Sequence, residues 1–522
     1  MGVGVRGVRV HYEITPGANP VVEVARDRVG IAAILAVGAL ASLGLLPWLG
    51  KSMFADEGAT LYSAHLSWWN LWAQSRHVDL VLLPYYVLVH FWMIASGSID
   101  NIRALSLLAY FGTIVAIGGT GLRLAGRWCG IIAAVLTATS TLFVLKSLNA
   151  RPYELSALMV TLSAISLLKW LDDARARWLW IFSVLAILAT ALQLFALLAP
   201  VSMLTGVLVV RPRLLLQRLR TLLGPMLLLA VAAVPWLIAG TGEVGQVNWI
   251  AGSSAESRLL SEIRGPMVGS SYDFILLVIF VVVVAKLATI WNRHVSHVFG
   301  ERVSRDRDVF ALTLAWAVLP TVVLSIVSIA HPIYANRYVT ASVPGVALLV
   351  AFICIRVFPG NLDLTYRRWV RTAGSTLSSE AMAVVGILAA IVLVVGSVSS
   401  ATSLQEDLQG ATRYTVQQQE IGDVVALPDH AISAAVGYYL ASDARHISLW
   451  PQRGVQQRYV EGLDLSLHPY SNGHFPFRVW LLTDDSVPGV RHFRKILRAD
   501  GYVLSEVKQF TGVTLLLYRL AS

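Results

Sequence analysis

Charge is what this sequence has least of. Only 14% of its 522 residues are Asp, Glu, Lys or Arg, against 56% that are hydrophobic, and the mean hydropathy is +0.65. Soluble domains carry about 25% charged residues, so a water-soluble protein is excluded. Cysteine is scarcer still. Cys129 and Cys354 stand apart without a CxxC spacing, so neither a disulfide framework nor a zinc site is indicated. There is no HExxH or other metal-ligand spacing, no phosphate-cradling GxxxxGK[ST] and no GxSxG. A zinc site, an ATP-driven pump and a serine hydrolase therefore have no sequence support.

What the sequence has instead is apolar runs on the length scale of a bilayer, about 20 residues each. They lie at 30–50, 103–122, 130–148, 155–171, 178–210, 221–240, 272–291, 308–329, 336–357 and 381–398. The run at 178–210 is too long for one span, and Gln193 and Pro200 interrupt it, so it divides into two. The first run exceeds the apolar core of a signal peptide, about 7–15 residues, and reads as an uncleaved helix.

Arginine clusters set the orientation. They stand at Arg123 and Arg127; Arg175 and Arg177; Arg211, Arg213, Arg218 and Arg220; Arg293, Arg302, Arg305 and Arg307; and Arg367, Arg368 and Arg371. The positive-inside rule places all of them in the cytoplasm. That is consistent only if one further apolar segment, 80–97, does not cross. Its proline, paired tyrosines, histidine and tryptophan suit an interfacial position. The result is eleven spans, a cytoplasmic segment at 1–29, a membrane domain at 30–400 whose first outer loop is 51–102, and an outer C-terminus. From 402 to 522 short alternating segments replace the long runs, with strands at 424–427, 446–450, 477–484, 502–509 and 513–519 and helices near 431–441 and 490–499. The fold class expected is thus a polytopic α-helical membrane protein with a C-terminal extracytoplasmic α/β domain. The net charge of +10 follows from this topology: of 30 Lys and Arg before residue 402, 22 lie in cytoplasmic segments. No nucleic-acid partner is expected; the lipid bilayer is.

The outer turns hold the residues that carry chemistry. Asp56-Glu57 follows the first span, Asn149-Ala-Arg-Pro-Tyr-Glu154 fills one short turn and His331-Pro-Ile-Tyr-Ala-Asn-Arg-Tyr338 another. Ionisable groups at membrane level are expensive and tend to be functional. A carboxylate there either accepts a proton from an acceptor hydroxyl or holds a divalent cation. Arg151 and Arg337 offer planar donor forks suited to a phosphate, or else snorkel to the interface or pair with Glu154 or Glu57. Tyr62, Tyr85, Tyr86, Tyr153, Tyr334 and Tyr338 crowd the same layer, as a belt or as a groove lining. In the C-terminal domain, Trp450, Tyr459, Tyr470 and Trp480 read as core residues rather than as glycan contacts.

The order and spacing of these segments resemble the GT-C class of polyprenyl-phosphate-sugar glycosyltransferases, which includes protein O-mannosyltransferases and lipid A aminoarabinose transferases, with actinobacterial mannosyltransferases the nearest in pattern. The matching segments are Asp56-Glu-Gly-Ala-Thr-Leu-Tyr62; Asp79 through Pro84-Tyr-Tyr86 to His90-Phe-Trp92; Ile102-Arg103-Ala-Leu-Ser106; Ala150-Arg-Pro-Tyr153; and Tyr334-Ala-Asn-Arg-Tyr338. Val81-Leu82-Leu83 stands where many members of the class have His-Pro-Pro. The resemblance implies juxtamembrane helices between the first two spans and Asp56 as the catalytic carboxylate with Glu57 in support. It also implies Arg151 and Arg337 at the donor phosphate, with Tyr62, Asp79, Tyr85, Tyr86, His90, Tyr153 and Tyr338 lining the substrate site. The implied activity is sugar transfer, of mannose or another hexose or pentose, from a polyprenyl phosphate to a cell-envelope glycan, lipid or protein, with inversion. A divalent cation, Mg2+ or Mn2+, near Asp56 stays open. The alternatives are a flippase for a lipid-linked sugar, which calls for polar residues in mid-span, and a scaffold whose outer domain binds glycan.

Overall fold

The computed structural model describes residues 27–243, 301–331, 333–357, 406–427, 430–443, 448–450, 476–483 and 488–521. The expected spans at 272–291 and 381–398, and Tyr459 and Tyr470, lie outside them.

Helix α1 (Arg28–Leu45) leads through a 3-10 turn to three short helices, α2 (Ala55–His65), α3 (Trp68–Ser75) and α4 (Leu83–Trp92). Longer helices follow: α5 (Ile99–Ala125), α6 (Arg127–Thr139) bent into α7 (Thr141–Ser147), α8 (Tyr153–Asp173), α9 (Ala176–Leu192), α10 (Leu198–Val210), α11 (Pro212–Gly242), α12 (Glu301–Ala330) and α13 (Val343–Val357). Among the described residues six helices are long and apolar enough to cross a membrane, or seven if α6 and α7, bent by 63°, make one span. Gln193 is extended between α9 and α10, where the sequence divides the run. Leu80–Trp92, expected at the interface, and Ala176–Leu192 and Leu194–Val210, expected to span, are all shorter apolar helices of 10–17 residues.

Small residues bring the helices together. A methyl on Gly118 of α5 would stand 2.6 Å from Ile34 of α1, and one on Gly130 of α6 would stand 2.6 Å from the Gly118 carbonyl. Such close approach is how helices associate where lipid removes the hydrophobic drive. Ion pairs join the arginine-rich turns at one end: Arg127–Asp27 at 3.2 Å, Arg305–Asp172 at 3.1 Å, and Arg211–Asp308. All three stand at the end of the bundle opposite Asp56.

The C-terminal domain is a five-stranded sheet of order β2-β1-β3-β5-β4 with α14 (Leu408–Gln417), α15 (His430–Asp443) and α16 (Pro488–Ala499). β1 (Val424–Ala426) pairs parallel with β2 (Ser448–Trp450) and β3 (Arg478–Thr483), while β5 (Val513–Leu520) pairs antiparallel with β3 and β4 (Tyr502–Phe510). Side chains alternate between faces. Val425, Trp480, Leu482, Leu515 and Leu517 pack with α14 and α15, whereas Val479, Leu481, Leu516 and Tyr518 pack with Phe493 and Leu497 of α16. Trp480 is core, its Nε1 donating to Asp423 at 2.8 Å. The first face does not stop at the domain. Its cluster continues into Met53, Leu61, Leu66, Leu71, Tyr85 and Tyr86, so the sheet domain and the short helices α2–α4 share one core.

Candidate active site

Asp56 and Glu57 occupy the first turn of α2, where carboxylates complement the helix dipole. Successive helical residues diverge by about 100°, so the two acids face different surroundings. Glu57 is fully buried. Its Oε1 accepts from Arg103 Nε at 2.8 Å and from the Ala150 amide at 2.7 Å; its Oε2 accepts from Arg103 Nη2 at 2.7 Å and from the Phe54 amide at 2.9 Å. The Phe54 contact is the reach-back of a capping box. Arg103 also donates to the carbonyls of Leu49, of Lys51 at 2.8 Å and of Ser52 at 3.1 Å. Burial drives the Glu57 carboxyl upward, but its bonds to Arg103 and the charge beside it hold it below the ordinary carboxylate range.

Asp56 turns instead toward two other arginines. Arg337 Nη1 donates to its Oδ2 at 2.8 Å, and Arg151 Nη2 lies 3.8 Å from the same oxygen. Arg151 comes from the turn between α7 and α8, and its Nη1 also donates to the Asp56 carbonyl and to Thr60 Oγ1, each at 3.3 Å. Arg337 sits on the 3-10 turn Asn336–Ser342, pinned through its carbonyl by Gln193 Nε2 at 3.1 Å and Thr340 Oγ1 at 2.9 Å. Burial raises the Asp56 carboxyl, but Arg151 and Arg337, with Lys146 nearby, hold it below its usual range, so it is ionised. Lys146 of α7 lies within electrostatic reach of Asp56, Arg337 and Glu154, its ammonium 5.6 Å from the Tyr153 ring centroid. Glu154 is fully buried, and neither carboxylate oxygen has a hydrogen-bond partner among the described residues.

Of the remaining expected residues, Tyr153 and Tyr338 neighbour Arg337, whereas Tyr62 and His90 lie on the short helices α2 and α4. Tyr86 donates to Asp79 Oδ2 at 2.7 Å, and Asp79 adopts a left-handed backbone (φ 61°). Glu243, at the end of α11, accepts from the Leu80 amide, and burial beside Asp79 lifts its carboxyl to about 7. Tyr85 and Tyr153 are buried, and Tyr62 is half-buried on α2. His90 places Nδ1 2.9 Å from the Ala64 carbonyl and its ring 4.1 Å from Trp68, while Tyr338 packs 4.6 Å from Phe195. Asp56, Arg151 and Arg337 therefore converge from three separate segments. The convergence leaves Glu57 elsewhere, in a buried ion pair with Arg103 that fixes the start of α2. The sequence assigns no role to Arg103, which it marks only within a matching segment, and none to Lys146. The signal for Lys146 is that it is the one charge in the apolar run 130–148.

The donor set does not fit a protein-held divalent cation at Asp56. Among the described residues Asp56 is the carboxylate that Arg151 and Arg337 contact, and Lys146 adds a further positive influence on it. Among the described residues no group of three or more His, Cys, Asp or Glu could hold a metal.

A bundle of apolar helices, short helices at one end carrying an acid against arginines, and a small sheet domain docked on them define a multi-span membrane protein of the GT-C fold. Its overall structure is similar to that of ArnT from Cupriavidus metallidurans in the apo state, with 12% identity, a TM-score of 0.53, and coverage of 95% of this chain and 98% of that one. The same protein bound to undecaprenyl phosphate matches with 12% identity, a TM-score of 0.51, and coverage of 95% and 97%. Residues 103–215 match the family model described as the Protein O-mannosyl-transferase TMEM260 N-terminal domain. No curated protein matches the chain.

Proposed function

We propose that this chain transfers one sugar, mannose or another hexose or pentose, from a polyprenyl phosphate to a hydroxyl of a cell-envelope glycan, lipid or protein. The observation that carries the proposal is the convergence of Arg151 and Arg337 on one carboxylate, Asp56, with Lys146 within electrostatic reach. That is an anion site with a base inside it. The family-model match supports the transferase class, and the undecaprenyl phosphate bound by ArnT supports the donor.

In the proposed reaction the acceptor oxygen bonds to the anomeric carbon as the bond from that carbon to the phosphate oxygen breaks, inverting the configuration. The acceptor proton passes to Asp56. The electron pair of the broken bond leaves on the polyprenyl phosphate, whose charge Arg151, Arg337 and Lys146 stabilise. A carboxylate held below its usual range is a weak base, and the ion pairs supply the remedy. Donor phosphate competes with Asp56 for the two guanidinium groups. Once they turn to the phosphate, burial and the new negative charge both raise the Asp56 carboxyl toward working pH. The base becomes effective only when the donor is in place. No step runs through a metal.

The positive-inside rule assigns the arginine-rich end to the cytoplasm of a bacterial plasma membrane. The site and the C-terminal domain then face outward and the N-terminus inward. The test is reconstitution of the purified chain in vesicles with a radiolabelled polyprenyl-phosphate mannose and an envelope extract. Transfer requires free polyprenyl phosphate and labelled acceptor to appear together. Movement of intact donor between leaflets with no release would overturn the proposal in favour of a flippase.

A further inference from the structure

Residues Lys51–Phe54 connect the end of the first span to α2 without regular structure. Asp56 hangs from this strap, so what holds the strap holds the base. From the bundle side, Arg103 binds the carbonyls of Leu49, Lys51 and Ser52. From the other side the partners belong to the C-terminal domain, some 350 to 400 residues later in the chain. The Met53 amide donates to Tyr439 Oη at 2.8 Å, and the Gln409 amide donates to Ser52 Oγ at 3.1 Å. Met53 itself is fully buried in the core that the two regions share. One turn further on, a methyl on Gly58 would stand 2.5 Å from the Ala435 backbone nitrogen, so α2 and α15 touch main chain to main chain. Gly58, Ala435 and Tyr439 thus form one seam, two residues from Asp56.

We infer that the C-terminal domain positions Asp56 through Tyr439, whose hydroxyl fixes the Met53 amide, while adding no group of its own to the reaction. Tyr439 is a positioning residue. The inference rests on the reading of Asp56 as the base. It separates two kinds of contact. Arg151 and Arg337 hold the donor phosphate from the bundle, where Tyr439 does not reach. Asp56 is held by the seam, where a shift of about 1 Å costs on the order of a hundredfold in rate.

The experiment compares Tyr439→Phe with the parent in the full-length chain, reconstituted in vesicles, reading kcat for sugar transfer, binding of undecaprenyl phosphate, and thermal unfolding. The expected result is a kcat lowered about tenfold or more with phosphate binding unchanged and the unfolding temperature lowered only by the small amount that one orphaned amide brings. Ser52→Ala, which removes the acceptor of the Gln409 amide, moves the same readouts in the same direction. An unchanged kcat in Tyr439→Phe overturns the inference, as does a kcat loss matched by equal loss of folded protein or of phosphate binding, which marks a merely structural contact. Asp56→Asn run in parallel keeps the two readings apart: parental turnover in that variant is a failure of the base assignment, whereas parental turnover in Tyr439→Phe beside an inactive Asp56→Asn is a failure of the positioning role alone.

Discussion

Glu57→Gln is expected to fail by unfolding, although the carboxylate it alters adjoins the proposed base in sequence. Glu57 accepts four hydrogen bonds, two from Arg103 and two from the Phe54 and Ala150 amides, with no exposure to solvent. The amide keeps one oxygen and turns two N–H donors toward groups that are themselves donors. It also leaves the Arg103 guanidinium buried without its counter-charge. Breaking a buried ion pair from one side costs about 3–5 kcal/mol, and each orphaned amide adds about 1–3 kcal/mol. Together they are a large part of the roughly 5–15 kcal/mol by which ordinary domains are stable. Replacing both partners, Glu57→Leu with Arg103→Leu, removes the unpaired charge but frees the carbonyls that Arg103 binds, so it recovers only part of the loss. The assay is membrane yield and thermal unfolding in detergent for Glu57→Gln and for the four members of the leucine double-mutant cycle. Parental yield and unfolding temperature for Glu57→Gln, or additive effects in the cycle, would refute the reasoning.

Other consequences are as direct. The acid limb of kcat should lie at higher pH than that of kcat/KM. The free enzyme holds Asp56 below the ordinary carboxylate range through Arg151 and Arg337, and bound phosphate removes that hold; coincident limbs would contradict the exchange of partners. Lys146→Gln should lower kcat/KM for the donor about 10- to 100-fold, the worth of one charged contact to phosphate, in steady-state kinetics with the protein still folded. EDTA should leave the transfer rate unchanged, because the charges around Asp56 disfavour a protein-held cation.

Much of this architecture was legible because bilayer and sheet impose periods the sequence must obey. The apolar runs marked the spans, Gln193 marked the break between α9 and α10, and the alternation at 477–484 and 513–519 gave β3 and β5 within a residue or two. The interfacial placement of 80–97 came from charge parity, and the short helix α4 agrees with it. Of the site, Arg151 and Arg337 stood out because charge is scarce and each lies in a short turn, and Asp56 because it follows the first span on the same side. What was not legible depended on tertiary direction. Nothing local tells which of two adjacent acids faces inward; Arg103, inside an apolar span, settles it from 46 residues away. Likewise Gly58 gives no local reason for lacking a side chain until α15 is laid against it. Helix α14 escaped notice because only one side of it, with Leu408 and Ala411, reaches the core.

The central claim is that Asp56 takes the proton from the acceptor hydroxyl. The most direct measurement is the rate of polyprenyl phosphate release by purified Asp56→Asn, set against its binding of undecaprenyl phosphate. Asparagine keeps the size of the side chain but cannot accept the proton, and it frees Arg151 and Arg337 for the phosphate. The account predicts a folded protein that binds undecaprenyl phosphate at least as tightly as the parent and releases none from the sugar donor. Release at the parental rate would contradict it.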